Sequence, residues 1–380
     1  MKYKTYTVKD VKKASSENKF SVISCFAGGG GSSTGYRLAG GKILLINEFV
    51  EEAISSYKKN YPDTPVLVDD IKKYSGQDFL DKVKLKEGEL DILDGSPPCS
   101  AFSVAGKREK GWDKTKNYSD GKTVENIEDL FLDFIRVAKE IKPKVIVAEN
   151  VKGITFGEAT KKLNEFIKAF ESIGYYVTYK VLNAADFGVP QARERTIFIC
   201  VREDVADAIG LSFLNLVGIF PGEFGYQISM EDAIENIKND PEEIKELKEF
   251  YEGSFQKKFL DPIPFRPKRH MKPSDPEFRD WNPKASCFNM IRPCPTLPSP
   301  TLTQQGQKKG LSGVFHYADN RKLTIKELKR LMSLPEDYEL TGTFDQQAER
   351  IGRMVAPKMM AEVAKSIYEN VLKPYNEVNK

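Results

Sequence analysis

The chain is short of the features that mark several large protein classes. Its five cysteines are scattered, odd in number and form no CxxC pair. That excludes a disulfide framework, points to a reducing, cytoplasmic setting, and leaves no metal site expected. No apolar run approaches the length of a membrane span, and the lysine-bearing start has no apolar h-region, so no secretory signal is expected. A net charge of only +3 excludes a generally basic nucleic-acid coat and leaves local patches. The glycine run lacks the Gly-Lys-Ser/Thr of a phosphate loop. After Gly28 and Gly30 the third slot of GxGxxG holds Ser33, which disfavours a nicotinamide dehydrogenase. There is no internal repeat and no low-complexity tract.

What is present is ample core-forming material, 40% hydrophobic and 30% charged over 380 residues, enough for two domains or one large domain with an insertion. From 20 to 200, short apolar runs alternate with amphipathic segments, the α/β pattern. Strands are expected at 21–26, 42–46, Val66–Val68, 90–93, 145–148, 175–182 and 196–201, with helices between them, for example 127–141 and 161–173. Open parallel sheets bind ligands beyond the carboxyl ends of their strands, and the chemically active side chains of this sequence fall at such ends. After 202 the alternation fades into prolines, aromatics and charges, with one clear helix opening at Asp240-Pro241-Glu242-Glu243. A basic cluster in a loop is expected at 266–272, and an amphipathic helix at 357–372. Six lysines against one Asp and one Glu in the first twenty residues read as a solvated tail.

Four pieces carry chemistry. The turn Phe26-Ala27-Gly28-Gly29-Gly30-Gly31 lets a ligand approach the backbone near helix N–H groups. Glu48 follows at the end of the second strand, where a carboxylate accepts ribose hydroxyls. An adenosine cofactor fits, with Phe26 stacking on its base and Asp70 accepting from the adenine amino group. Cys99 sits in Ser96-Pro97-Pro98-Cys99-Ser100, a stiffened polar turn at a strand end. A free thiol has a pKa of about 8.5, and a helix N-terminus or nearby cations lower it, so Cys99 reads as a nucleophile. Cys25, Cys200, Cys287 and Cys294 have no such context and read as small buried hydrophobes.

Cytosine C5 is too weak a nucleophile to attack a methyl donor. A thiolate adding at C6 gives C5 enamine character, and that addition is easier when N3 gains a proton or a strong hydrogen bond. Glu149, after Val145-Ile146-Val147-Ala148, is the carboxyl candidate. Arg193 and Arg195 alternate just before the last strand and are expected to point the same way, holding the base O2. A duplex hides C6, so the base must swing out. The stretch 101–122, with Lys107, Arg108, Lys110, Lys114 and Lys116, suits a loop closing over DNA phosphates.

Together these residues resemble the bacterial DNA (cytosine-5) methyltransferase family over most of the chain, in the family's motif order. Residues 26–31 resemble its first cofactor motif, Pro98-Cys99 its nucleophile motif, Glu149-Asn150-Val151 its ENV motif and Gln191-Ala192-Arg193-Glu194-Arg195 its QxRxR motif. Pro300-Thr301-Leu302-Thr303 resembles PTxT. Arg321-Lys322-Leu323-Thr324 with Glu327, and then Gly352 through Pro357, resemble the two ends of the C-terminal motif. The resemblance implies an α/β doubly wound, mostly parallel sheet of the Rossmann-like, S-adenosylmethionine-dependent kind, with a smaller inserted target-recognition domain. The expected division is a catalytic domain over 1–202, target recognition over 203–327, a hinge over 328–350 and a returning C-terminal helix over 351–380.

The activity implied is methylation of cytosine C5 in a short site of double-stranded DNA, through a covalent Cys99–C6 intermediate, with S-adenosylhomocysteine as product. Catalytic residues are Cys99, Glu149, Arg193 and Arg195. Cofactor residues are Phe26, Ala27, Gly28, Gly29, Gly30, Gly31, Glu48, Asp70, Ile71, Ser96 and Pro98. A cognate restriction endonuclease is the expected system partner, and monomer is the default state. The competing readings are a tRNA cytosine-5 methyltransferase, to which Cys287-Phe288-Asn289 is a partial match, and a catalytically silent DNA-binding relative. This sequence departs from the family in having Ser24 for Asp, Ser100 for Gln and Arg353 for Asn.

Overall fold

The structure is a computed structural model. It describes residues 3–97, 116–117, 123–124, 129–254, 257–278, 290–309 and 313–379. Pro98, Cys99, Ser100, Lys107, Arg108, Lys110, Lys114 and Cys287-Phe288-Asn289 lie outside the described residues. The chain divides into a sheet unit (Lys9–Leu182, Glu194–Gly222, Met360–Lys380) and a second unit (Met1–Val8, Asn183–Arg193, Glu223–Met359). The borders differ from those expected at 202, 327 and 350. Residues 328–350 belong wholly to the second unit, while 360–380 return to the sheet unit.

Among the described residues the main sheet has seven strands: β1 (Ser21–Cys25), β2 (Lys42–Glu48), β3 (Val66–Val68), β4 (Ile92–Gly95), β5 (Val145–Val151), β6 (Tyr175–Asn183) and β7 (Glu194–Arg202), in the order β3-β2-β1-β4-β5-β7-β6. The pairs β1–β2, β2–β3, β1–β4 and β4–β5 are parallel, and β7 runs antiparallel to β5. Strands covered on both faces need continuous apolar sequence. Val22, Ile23, Ile92, Leu93 and the whole run Val145-Ile146-Val147-Ala148 are fully buried accordingly. The order reverses between β1 and β4, so the loops leaving those strands diverge there. Such a switch point opens a crevice at the carboxyl edge of a sheet.

Helices α1 (Val8–Ser15), α2 (Gly31–Leu38), α3 (Glu51–Asn60), α4 (Gly76–Val83), α5 (Asp129–Ile141), α6 (Ala159–Glu171) and α7 (Glu203–Ala208) accompany the strands. Phe79, Phe134, Val137, Phe166 and Phe170 of α4, α5 and α6 share a core with Ile23, Leu93, Ile146 and Phe198 of the sheet. Phe131 stacks on Phe166 at 3.8 Å between ring centroids. Gly95 is required by this packing, because a Cβ there would meet the Phe134 ring at 2.5 Å.

The lysine-rich start is not the solvated tail expected. Residues Val8–Ser15 form α1, Tyr3, Val8 and Val11 are buried, and Ser15 Oγ donates to Gly41 O at 2.7 Å. Val8 and Val11, three apart, make a narrow apolar stripe that a count of lysines hides.

The second unit has little strand and relies on caps. It contains α8 (Met230–Ile234), α9 (Pro241–Glu252), α10 (Lys257–Leu260), α11 (Ile325–Leu331) and α12 (Phe344–Arg353). Asp240 caps α9 with Pro241 behind it, as its sequence predicts. Thr324 with Glu327, and Thr343 with Gln346, form capping boxes on α11 and α12. The basic cluster expected at 266–272 is largely neutralised: Arg266 pairs with Glu231 at 2.5 Å, and Arg269 with Asp275 at 2.7 Å and Glu277 at 2.5 Å.

The stretch expected to be helical at 357–372 is helical and continues to Val378, with a change of register within it. Pro357–Ile367 forms α13, Tyr368–Leu372 is a π turn, and α14 is Lys373–Val378. Pro374 has no N–H for an i−4 carbonyl, which accounts for the register change. No helix among the described residues is long and apolar enough to cross a membrane.

Candidate active site

The sheet unit gathers polar side chains where its strands end. After β1 the backbone turns through positive φ at Phe26 (54°), Gly28 (54°) and Gly30 (88°). A Cβ at Gly28 would meet nothing nearer than 4.0 Å, so glycine is needed there for conformation, not for room. Gly30 is the N-cap of α2 and supplies no side-chain cap, which leaves the first-turn N–H groups of α2 available to a ligand. Phe26 packs against the core beside Phe134 at 6.4 Å between ring centroids.

Glu48 ends β2, 6% exposed. Its Oε1 accepts from Phe49 N and Val50 N at 2.9 Å each, and its Oε2 accepts from Gly28 N at 2.7 Å. The carboxylate thus clamps the glycine turn, and Oε2 keeps a lone pair for a further donor. Asp70 follows β3. One of its oxygens accepts from Lys72 N at 3.0 Å as the cap of a short 3-10 turn that begins at the buried Ile71. Ser96 lies just beyond β4, half-buried.

Glu149 and Arg195 form the charged centre of this edge. Arg195 Nε donates to Glu149 Oε1 at 2.8 Å, with side chains 13% and 12% exposed. The antiparallel register explains the meeting: Arg195 faces Val151 and Glu149 faces Ile197, so the two are diagonal neighbours across β5 and β7. Burial lowers the pKa of the guanidinium and the Glu149 carboxylate holds it up. Asn150 is 2% exposed; its Oδ1 accepts from Val151 N at 2.8 Å, while its Nδ2 has no partner among the described residues.

The expectation that Arg193 and Arg195 alternate just before the last strand does not hold for Arg195: β7 begins at Glu194, while Arg193 precedes it and belongs to the second unit. It is 2% exposed, and its guanidinium donates to Leu302 O at 2.9 Å, Gly352 O at 3.1 Å and Met354 O at 3.0 Å. Gln191 works beside it, donating to Leu331 O at 3.2 Å and accepting from Leu302 N at 3.0 Å. Thr301 Oγ1 donates to Ala192 O at 2.7 Å. A Cβ on Gly352 would meet Thr303 O at 2.6 Å. The three C-terminal motif segments therefore converge inside the second unit as a framework. Arg353 pairs with Glu349, whose other oxygen takes Lys308 at 2.6 Å.

Sequence reasoning missed Asp94. It is 1% exposed at the end of β4 and accepts from Ser24 Oγ at 2.7 Å, Ser32 Oγ at 2.8 Å and Tyr36 Oη at 3.1 Å. The signal was an acid within an otherwise apolar strand. Cys25, Cys200 and Cys294 are free and buried. Burial pushes the Cys25 and Cys200 thiols well up, away from thiolate chemistry. Among the described residues no group of three or more His, Cys, Asp or Glu is placed to hold a metal ion.

The model of the C-5 cytosine-specific DNA methylase family matches residues 20–369. The chain belongs to that family. It is a DNA cytosine-5 methyltransferase, the enzyme its motifs resemble. The Type II methyltransferase M1.HphI of Haemophilus parahaemolyticus is 31% identical over 353 residues, covering 91% of this chain and 86% of that protein. M.NgoFVII of Neisseria gonorrhoeae, also a Type II methyltransferase, is 30% identical over 369 residues, covering 96% and 91%. Among solved structures, a DNA modification methyltransferase encoded within an E. coli prophage superposes with a TM-score of 0.67 at 20% identity, over 93% of this chain and 99% of that one. The Dnmt2 methyltransferase of S. pombe gives 0.57 at 17%, over 94% and 99%. These two share the fold.

Proposed function

We propose that this methyltransferase modifies C5 of a cytosine swung out of double-stranded DNA, using S-adenosylmethionine and a covalent Cys99–C6 adduct. The observation that carries the reading is the largely buried Glu149–Arg195 pair at the strand ends. Cys99 thiolate adds to C6 while Glu149 gives N3 a proton or hydrogen bond, so the ring electrons move toward C5. Arg195 holds Glu149 in place and faces the base O2, where negative charge develops. Once the C5 electron pair has taken up the methyl group, loss of the C5 proton to a base and β-elimination of the thiolate, with cleavage of the C6–S bond, free the enzyme. We assign the O2 contact to Arg195 alone. Arg193, engaged with three carbonyls, holds the second unit's framework.

The residues present fit the cofactor. The positive-φ turn at 26–31, the uncapped start of α2 and the remaining Glu48 lone pair suit a nucleoside carrying a charged amino-acid arm. Asp70, Ile71, Ser96 and Pro98 complete the proposed set. When bound, S-adenosylmethionine supplies an electrophilic methyl group. The second unit carries target recognition, and the Type II relatives support a place opposite a restriction endonuclease of the same specificity.

The test is a DNA pool covering short cytosine contexts with 5-fluorocytosine at the target. Fluorine cannot leave C5 as the proton does, so turnover stops at the adduct. A denaturation-resistant protein–DNA adduct that requires S-adenosylmethionine and is lost in Cys99→Ala is expected. Methylated product without any adduct, or an adduct surviving Cys99→Ala, overturns the mechanism.

A further inference from the structure

Asp94 is not used by the reaction above, yet it accepts three side-chain hydrogen bonds at the active edge. Its three bonds come from two elements that frame the glycine turn. Ser24 lies on β1, just before the turn, and Ser32 and Tyr36 lie on α2, just after it. Ser32 and Tyr36 are four residues apart and so share one face of the helix. Ser24 and Asp94 are direct partners in the β1–β4 register. The resemblance described above implies an acid at the position of Ser24; this chain carries a hydroxyl there and an acid directly opposite on the adjacent strand.

We propose that Asp94 is the positioning residue of the cofactor loop, its carboxylate tying β1 to α2 and so fixing the turn at 26–31 in the shape that takes S-adenosylmethionine. This rests on the cofactor assignment made above. Asp94 touches neither cofactor nor base; it acts through Ser24, Ser32 and Tyr36.

The energetics agree with a functional rather than a packing role. No cation pairs with Asp94 among the described residues. Burial pushes its pKa up to about 6, the three hydroxyls pull it down, and the Glu149 carboxylate on β5 pushes it further up. Among the described residues, the Cys25 thiol on β1 and the Tyr36 phenol on α2 also titrate against it, both raised by burial and by Asp94 itself. Arg195 on β7 offsets Glu149. An unpaired carboxylate here costs stability that an apolar side chain would not, and such costs concentrate at functional sites.

The experiment uses the full-length protein and three variants: Asp94→Asn, Asp94→Ser, and Ser24→Asp combined with Asp94→Ser. Calorimetric Kd for S-adenosylhomocysteine, the ligand-free melting temperature and the KM–kcat split are measured on each. In Asp94→Asn the Kd weakens by about tenfold or more, KM for S-adenosylmethionine rises more than kcat falls, and the ligand-free melting temperature stays level or rises. Moving the acid back, in the double variant, returns Kd to within about threefold of wild type. Wild-type affinity in Asp94→Asn, or a folded double variant that binds no better than Asp94→Ser, overturns the proposal. A wild-type protein that does not bind S-adenosylhomocysteine refutes the cofactor assignment instead.

Discussion

The two units both bury charge, and they do so with different partners. In the sheet unit the acids at strand ends meet hydroxyls, a single guanidinium or backbone N–H groups: Asp94 with Ser24, Ser32 and Tyr36, Glu149 with Arg195, and Glu48 with Gly28, Phe49 and Val50. In the second unit the buried groups are mainly cations; Arg321 pairs with Glu327, and three others meet backbone carbonyls. Arg193 reaches three of them, Arg292 donates to His316 O and Asp319 O at 3.1 and 2.9 Å, and Lys322 donates to Gly306 O at 2.9 Å. A region with few strands leaves many carbonyls without ladder partners, and long cationic side chains satisfy them. Burial of a charge is therefore no guide to catalysis. The partner is: a carbonyl marks architecture, a polar side chain at a strand end marks chemistry.

The largest expected effect is at Glu149. Glu149→Gln lowers methyl transfer by roughly 10²–10⁴-fold, the usual worth of a positioned proton donor, with DNA binding retained in a gel-shift assay. Next is Arg292→Ala, which strands several carbonyls and costs about 3–5 kcal/mol in urea unfolding. Its specific activity per folded molecule stays at the wild-type level. A catalytic loss in folded Arg292→Ala would break the contrast between the units.

Two pH profiles sharpen it. Asp94, raised to about 6, keeps its proton in the folded state where the unfolded chain has lost it. Its contribution to stability thus falls as pH rises from about 4 to 6. Asp94→Asn should match wild type near pH 4 and exceed it by up to about 3 kcal/mol at pH 7, from two units at 1.36 kcal/mol each. Lys322 has the opposite sign. Burial lowers it to about 7, so its cost is full below that pH and is relieved as pH rises toward about 10. Lys322→Met gains most at or below pH 7 and falls below wild type near 10, where only the lost bond to Gly306 O counts. This is the smallest effect, since the variant also leaves Gly306 O without that donor, a loss of about 1–3 kcal/mol. Melting curves across pH 4–10 check both, and parallel slopes for the two variants would contradict the assignment.

The sheet was legible because strands buried on both faces must read as apolar runs, and the chemistry follows their ends. Val145-Ile146-Val147-Ala148 announced both β5 and the place of Glu149. What was not legible depends on partners far away in sequence. Asp94 closes the strand Ile92–Gly95, and its meaning lies in Ser24, 70 residues earlier. Arg193 finds its carbonyls 109, 159 and 161 residues on. The alternation rule placed Arg193 with Arg195 because nothing local shows that β7 starts between them. In α1, the stripe of Val8 and Val11 was outweighed by lysines that face outward.

The most direct test makes one substitution at two positions in the same pentapeptide. Arg193→Lys and Arg195→Lys both keep the charge and remove the guanidinium fork. Single-turnover methyl transfer and melting temperature are measured on each. The account predicts that Arg195→Lys loses about 10²-fold or more in rate while melting close to wild type. Arg193→Lys should melt lower, by roughly 4 °C or more for the carbonyls left without donors, and keep its rate per folded molecule. The reverse pattern, a stable but inactive Arg193→Lys beside an active Arg195→Lys, would contradict the division between chemistry and architecture.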